Sequence, residues 1–440
     1  MATTHSRRME MVLGEYVALL SFLDPPTTPD TKTKSQIKRP LSRTSGQKFL
    51  DHLSWLCDPL PRGRTVASIA VQGSSSGSNF WIASNNGSSR GVKKHLQWLL
   101  GRLRQLVDGS ETREVVCKEI FRKSVNFSRE RVRNYLEQLK TIASHCLLLQ
   151  ETNERDRQLS KDISEILQSY DEHERLCTLA FCFRKTAASQ TLRIRATASG
   201  PNGSWQLLRH YVGRLGSWWK ATLVVTMEAN EISDILRNAT VQVVRYAGIV
   251  TQGQREPTRS LDEVLGSLTS VNNPNLPASA KHVMQHRWGF DVDKKFMERL
   301  KHRQKQQCFH AEAVMLAHFH RREFRFTQSL PYIGCSKPSC YCCELYAELH
   351  PLITAPRESH GNAWVKWALP CPARARRGRY CQACTCILEK MLRCVRKEIR
   401  RRILAESSGV HGRPESTTNM SSVVMLGFVD HEFRNNSRAT

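Results

Sequence analysis

From position 12 to position 23 apolar side chains recur at helical spacing, and Glu10 and Glu15 break the run, which predicts an amphipathic helix near the start of the chain. The same carboxylates argue against a secretory signal, whose core behind Arg7 and Arg8 would be uncharged. Residues 25–48 are dense in Pro, Thr, Ser and Lys, carry too few apolar groups to bury, and read as a linker. Two β-rich runs follow, TVASIAVQ at 65–72 and NFWIAS at 79–84, and the intervening GSSSGS predicts a hairpin. From 92 to about 170 the period becomes helical, with Leu96, Leu99, Leu100, Leu103 and Leu106 in one stripe and Leu136, Leu139 and Ile142 in another.

A second apolar block at 205–225 contains Trp218 and Trp219, read as core aromatics. Residues 252–277 read as a loop, 291–303 as a charged helix, and 407–440 as a disordered tail with a candidate short strand at 423–429. No apolar run reaches the roughly 18 residues of a membrane helix, so no membrane span is expected.

Composition sharpens this picture at two points. The chain carries a formal net charge of +26, a positive field that attracts polyanions, with nucleic acid or nucleotide the expected partner. Its 15 cysteines are an odd number and fit reduced thiols in an intracellular compartment, cytoplasmic or nuclear, better than a disulfide framework. Most fall between Cys308 and Cys394, which points to a local metal site.

The chemistry is concentrated in CFHAEAVMLAHF at 308–319 and PYIGCSKPSCYCCELY at 331–346. Zinc favours nitrogen and sulfur donors in a tetrahedron, and His310, Cys340 and Cys343 supply three of them while leaving a fourth position open. Cys340 and Cys343, three apart, share one face at the start of a helix, where exposed N–H groups favour thiolate. His310 and Glu312, two apart, diverge on a regular helix, so the pair requires His310 at an irregular first turn. Glu312, a carboxylate that is not a ligand, is the candidate catalytic residue that moves protons.

These residues resemble the zinc-dependent cytidine and nucleic-acid deaminase superfamily, most closely a fungal branch related to predicted bacterial toxin deaminases, on the strength of HAE and YIGCSKPSCYCC. The resemblance implies an α/β fold, a mixed sheet flanked by helices, in which the hairpin precedes the HAE helix and the stretch between them is a large helical insertion. The implied division is 1–48 (helix and linker), 49–90 (hairpin), 91–283 (insertion), 284–404 (zinc-binding core) and 405–440 (tail). RHYVGRLGSWW at 209–219 looks like a further feature of the branch. One departure is Ser339 directly before Cys340, where the family usually has proline; here Pro338 stands one place earlier. Asn85 resembles the sugar-contacting asparagine of free-nucleoside deaminases, and Asn86 matches equally well.

Around this centre, Cys335 and Cys342 either substitute as ligands or pack beneath it. SHGNAWVKW holds His360, Trp364 and Trp367, where His360 is a candidate for phosphate contact and an aromatic, taken as Trp364, for base stacking; the bland alternative is a loop closed by buried tryptophans. Cys381 and Cys384 form a second C-x-x-C without an obvious partner pair, and the arginines at 374–379 and 393–402 form a candidate phosphate-tracking surface or a solvated basic face. Two functions follow: a hydrolytic deaminase acting on a cytosine or adenine base in a nucleotide or nucleic acid, or a zinc-stabilised module that binds nucleic acid or protein without catalysis.

Overall fold

The computed structural model describes residues 2–23, 42–74, 77–85, 87, 90–147, 153–199, 203–246, 249–250, 259–269, 274–327, 329–370 and 379–407. Most of the expected linker, Asn86, the arginines at 374, 376 and 377, and the tail with its candidate strand lie outside these residues.

The runs at 65–84 form the expected hairpin, β1 (Ala67–Ser74) and β2 (Gly77–Ser84), in antiparallel register with Ile69 opposite Ile82. Its period-two alternation sends side chains to opposite faces and so into two separate cores. Ile69, Val71, Phe80 and Ile82 enter one, while Ala70, Ala83 and the partly buried Trp81 enter the other.

On the first face lie α2 (Ser45–Leu56) and a bundle of helices running from α3 (Arg90–Val107) through α11 (Ser233–Arg237). Within it, α4 (Arg113–Phe127), α5 (Arg129–Leu147), α6 (Glu154–Gln168), α7 (His173–Cys182), α8 (Ala187–Ala198), α9 (Ser204–Leu215) and α10 (Ser217–Glu228) follow in order. The stripe predicted from Leu96 to Leu103 is buried, and Trp218 is fully enclosed in this core, as its reading as a packing residue requires. The bundle ends earlier than position 283. β3 (Ala239–Val243) leaves it to pair in parallel with β2, because its Val241 completes the bundle-side apolar surface of the sheet.

The remaining elements are β4 (Ile249–Val250), α12 (Leu261–Gly266), α13 (Leu276–Trp288), α14 (Val292–Lys305), β5 (Gln307–Cys308), α15 (Ala311–Arg321), β6 (Ile333–Cys335), α16 (Tyr341–Leu349) and α17 (Arg379–Ser407). β6 pairs antiparallel with β1, giving a mixed four-stranded sheet of order β3-β2-β1-β6 in a mostly helical protein. α15 lies across β1, β2 and β6 on the second face.

Two sequence expectations are revised by this packing. α2 begins at Ser45, inside the segment read as linker, where Thr44 and Gln47 make a reciprocal capping box. The first helix, α1 (Ala2–Leu23), is not one-sided over its second half. Every residue from 13 to 23 is buried, because α13, α14 and α17 enclose it. Among the described residues no helix is long and apolar enough to cross a membrane.

Candidate metal centre

His310 is the N-cap of α15, with extended backbone angles of φ −76° and ψ 139°, and Glu312 is the second residue of the helix proper. That break in helical geometry is what lets residues two apart serve one site. Cys340 holds the equivalent place on α16, with φ −79° and ψ 166°, and its sulfur accepts the Cys343 N–H at 3.4 Å. Two helix N-termini therefore meet at the site, and the positive ends of their dipoles favour anionic sulfur.

His310 Nδ1 lies 3.5 Å from Cys340 Sγ and 3.4 Å from Cys343 Sγ, and the three donor atoms lie within 4.8 Å of one another. Zinc with ordinary Zn–N and Zn–S bonds in a tetrahedron requires nitrogen–sulfur separations of about 3.6 Å. The donor set and its spacing fit that ion. Among the described residues, this is the one cluster of three or more His, Cys, Asp or Glu side chains with such proximity.

The titration of the cluster reflects its crowding. Burial works against a charge on either thiol, but the Cys343 contact and the His310 ring draw Cys340 down to about 6. Burial and the neighbouring Cys340 hold Cys343 well above its ordinary value, so one negative charge resides on the pair. Burial opposes charge on His310 as well, and the Cys340 sulfur outweighs it, raising the imidazole pKa.

Glu312 is 9% exposed, and Cys335, at the end of β6, directs its sulfur to Glu312 Oε2 at 3.8 Å. Burial, reinforced by Glu312, pushes Cys335 up to about 12, so it is a thiol that donates to the carboxylate. Cys342 is fully buried in the second core. Neither flanking cysteine joins the three-donor cluster.

Asn85 accepts the Ala311 N–H at 2.9 Å and donates to the Gly63 carbonyl at 3.2 Å. It thereby pins the first turn of α15 to the loop before β1. His360 is buried, its Nδ1 accepting the Asn362 N–H at 3.1 Å. It belongs to a segment that closes over the start of α16: Ser339 donates to the Glu358 carbonyl at 2.8 Å, and Tyr341 to the Asn362 carbonyl at 3.0 Å. Ser339 in place of proline thus has a physical use, since proline has no N–H to give. Trp364 is 44% exposed and meets the His360 ring edge-on at 6.0 Å.

Several residues that matter here were not selected from the sequence. Trp367, fully buried, donates its indole N–H to Cys343 Sγ at 3.2 Å, so it is the second tryptophan of SHGNAWVKW, not Trp364, that touches a candidate ligand. Arg303, on α14, holds the carbonyls of Val365 and Trp367, each at 2.5 Å. Arg357 donates to Ser339 Oγ at 3.1 Å and the Lys337 carbonyl at 2.9 Å, bracing the turn before Cys340. Asp51 accepts from the Cys335 N–H at 3.0 Å and the Tyr332 hydroxyl at 2.8 Å. Only Trp367 carried a visible signal, as an aromatic in a motif already noted; the others act on groups distant in sequence.

Residues 309–371 match a family model described as OTT_1508_deam-like deaminase. The match spans His310, Glu312, Cys340 and Cys343 together with the segment that closes over them, and it supports a deaminase domain here. No curated protein and no solved structure matches the chain.

Part of the basic stretch on α17 is engaged within the molecule. Arg396 donates to the Ser267 carbonyl and Arg400 to that of Leu268, while Arg401 and Arg402 bind Glu398. Arg396 and Arg400 thus fasten α17 to the chain after α12, whereas Arg401 and Arg402 pair within the helix and Arg393, Lys397 and Arg401 stay exposed. Cys384 is buried on α17, and the Cys381 side chain lies outside the described residues.

Proposed function

We propose that this protein is a zinc-dependent hydrolytic deaminase acting on a cytosine or adenine base of a nucleotide or nucleic acid. The observation that carries the reading is the convergence of His310, Cys340 and Cys343 at tetrahedral spacing with Glu312 beside them, inside the segment that resembles a deaminase. A zinc ion held by the three side chains would supply Lewis acidity and one coordination position open to water and substrate.

The chain's own residues account for the rest. The overall change replaces the exocyclic amine by oxygen from water and releases ammonia, so protons must leave water and reach a ring nitrogen and the departing amine. Glu312, acceptor-only when ionised, takes the proton from water at a carboxylate oxygen and returns it to the base. Cys335 holds that carboxylate from behind by its S–H contact. Asn85 and the 358–362 segment fix the two helix N-termini, and Trp364, partly exposed beside His360, is placed to stack on a base.

The net charge of +26 favours a second reading, a zinc-stabilised module that binds nucleic acid without turnover. One experiment separates them. Zinc per chain and ammonia release from cytosine- and adenine-containing nucleosides, nucleotides, single-stranded DNA and RNA are measured for the wild type and Glu312→Ala. We expect about one zinc in both proteins and a loss of about a hundredfold or more in turnover for the variant. Zinc without turnover in the wild type on every substrate supports the binding module instead.

A further inference from the structure

The helical bundle contributes a group of cations beside the metal centre that the reaction chemistry does not use. Arg131 on α5 and Arg214 on α9 flank the Trp55 ring, their guanidinium carbons 3.6 Å and 5.5 Å from its centroid. Lys337, in the turn between β6 and α16, closes the group from the other domain face. Its ammonium lies over Gly63, whose φ of +71° favours glycine and where a Cβ would come within 3.2 Å of Nζ.

One carboxylate, Asp58, faces these three cations, and its oxygens are already engaged. Oδ1 accepts from Thr65 at 2.8 Å, and Oδ2 accepts from Ser336 at 3.0 Å and pairs with Arg131 at 3.5 Å. Arg131 is 1% exposed, yet its Nη2 has no partner, and Arg214 Nη1 is likewise enclosed and unpartnered. Three cations against one anion leave an excess of two positive charges in a region of low polarity. Folding does not reward such an arrangement, because uncompensated buried charge is costly. The field is visible on Tyr135: burial would raise its phenol pKa, but Arg131, Arg214 and Lys337 bring it below the ordinary value. Arg214, Lys337 and Tyr135 remain partly accessible, so the group is open to a ligand.

The location ties this group to the candidate centre. Lys337 lies three residues before Cys340 and within electrostatic reach of His310. Gly63, under the Lys337 ammonium, gives its carbonyl to Asn85, which in turn holds the first turn of α15. We propose that Arg131, Arg214 and Lys337 form a subsite for the phosphate of a nucleoside monophosphate whose base is presented to the His310, Cys340 and Cys343 centre. The placement of the base rests on the deaminase reading above; the phosphate subsite stands on the excess of cations and on the unpartnered Arg131 Nη2 and Arg214 Nη1. An enclosed group with Arg131 almost fully buried suits a terminal phosphate, whereas a polymer backbone requires an open track. The bundle thereby acquires a role in substrate selection, since two of the three cations come from it.

The test is equilibrium binding of CMP, AMP, cytidine, adenosine, inorganic phosphate and a short single-stranded oligonucleotide to the full chain, by calorimetry. Wild type is compared with Lys337→Gln, Arg214→Gln and the charge-keeping Arg214→Lys. A monophosphate should bind at least about tenfold more tightly than its nucleoside, and each Gln variant should lose about tenfold or more for the monophosphate alone. Arg214→Lys should retain part of that affinity. Unliganded Lys337→Gln should melt no lower than wild type, because it removes repulsion rather than a bond. Monophosphates that bind no better than nucleosides, Gln variants that bind like wild type, or a lowered unliganded melting point for Lys337→Gln would each overturn the proposal. Tighter binding of the oligonucleotide, lost in the same variants, would overturn it in favour of a polymer. Zinc content and ammonia release, measured separately, report on the deaminase reading, so phosphate binding without turnover sinks that reading and leaves the subsite.

Discussion

Single side chains at the centre act through hydrogen bonds that sequence motifs do not encode. The indole N–H of Trp367 favours thiolate at Cys343, against the burial and the Cys340 sulfur that hold this thiol well above its ordinary value. Replacing it by Phe keeps an aromatic ring in place and removes the donor. Trp367→Phe should release zinc to a competing chelator about ten- to a hundredfold more readily, as expected for a partner that orients a metal ligand. Unchanged zinc retention would show that the N–H···S bond contributes nothing to the site. His310, Glu312, Cys340 and Cys343 were legible because their chemistry and spacing are specific. Trp367 and Trp364 were not separable, since nothing in SHGNAWVKW tells which ring turns inward.

At the level of elements, the first helix and the candidate metal centre are mechanically linked. A Cβ at Gly14 on α1 would lie 2.9 Å from Arg303 Cζ, and Arg303 cannot retreat without dropping the carbonyls of Val365 and Trp367. Gly14→Ala should lower stability by about 1–3 kcal/mol through overpacking, measured by urea denaturation. It should also weaken zinc retention through the displaced Trp367 loop. In the Gly14→Ala/Arg303→Met double variant the two costs should be less than additive, because the obstruction is gone. The helical stripe and the hairpin were legible from their periods of 3.6 and 2. β3 was not, because five residues after a long run of helices carry too little pattern to announce a parallel pairing with β2.

The whole molecule stores a liability to acid in its buried imidazoles. Burial lowers His52 and His318 to about 4 and His95, His210 and His350 to about 3. Folded, these rings stay neutral at pH values where the unfolded chain, near 6.5, is already protonated, so unfolding takes up protons. Stability is therefore complete above about pH 6.5 and declines as pH falls toward 4, by about 1.4 kcal/mol per pH unit for each such histidine. His95 stacks on Phe127 with centroids 4.0 Å apart, so His95→Phe should keep the contact and make the pH dependence shallower by about one proton. An equally steep dependence in the variant would place the acid sensitivity elsewhere. By itself the sequence singled out the residues that converge at the candidate centre, with Glu312 near them, the hairpin and much of the helical content, because these depend on residue chemistry and short-range periodicity. Only the tertiary structure decided that His310 and Cys340 both cap helices facing each other, that the second half of α1 is core, that Arg396 and Arg400 fasten α17, and that Arg131, Arg214 and Lys337 meet around one aspartate. Each of those facts is a contact between segments far apart in the chain, and no local pattern of residues carries that information.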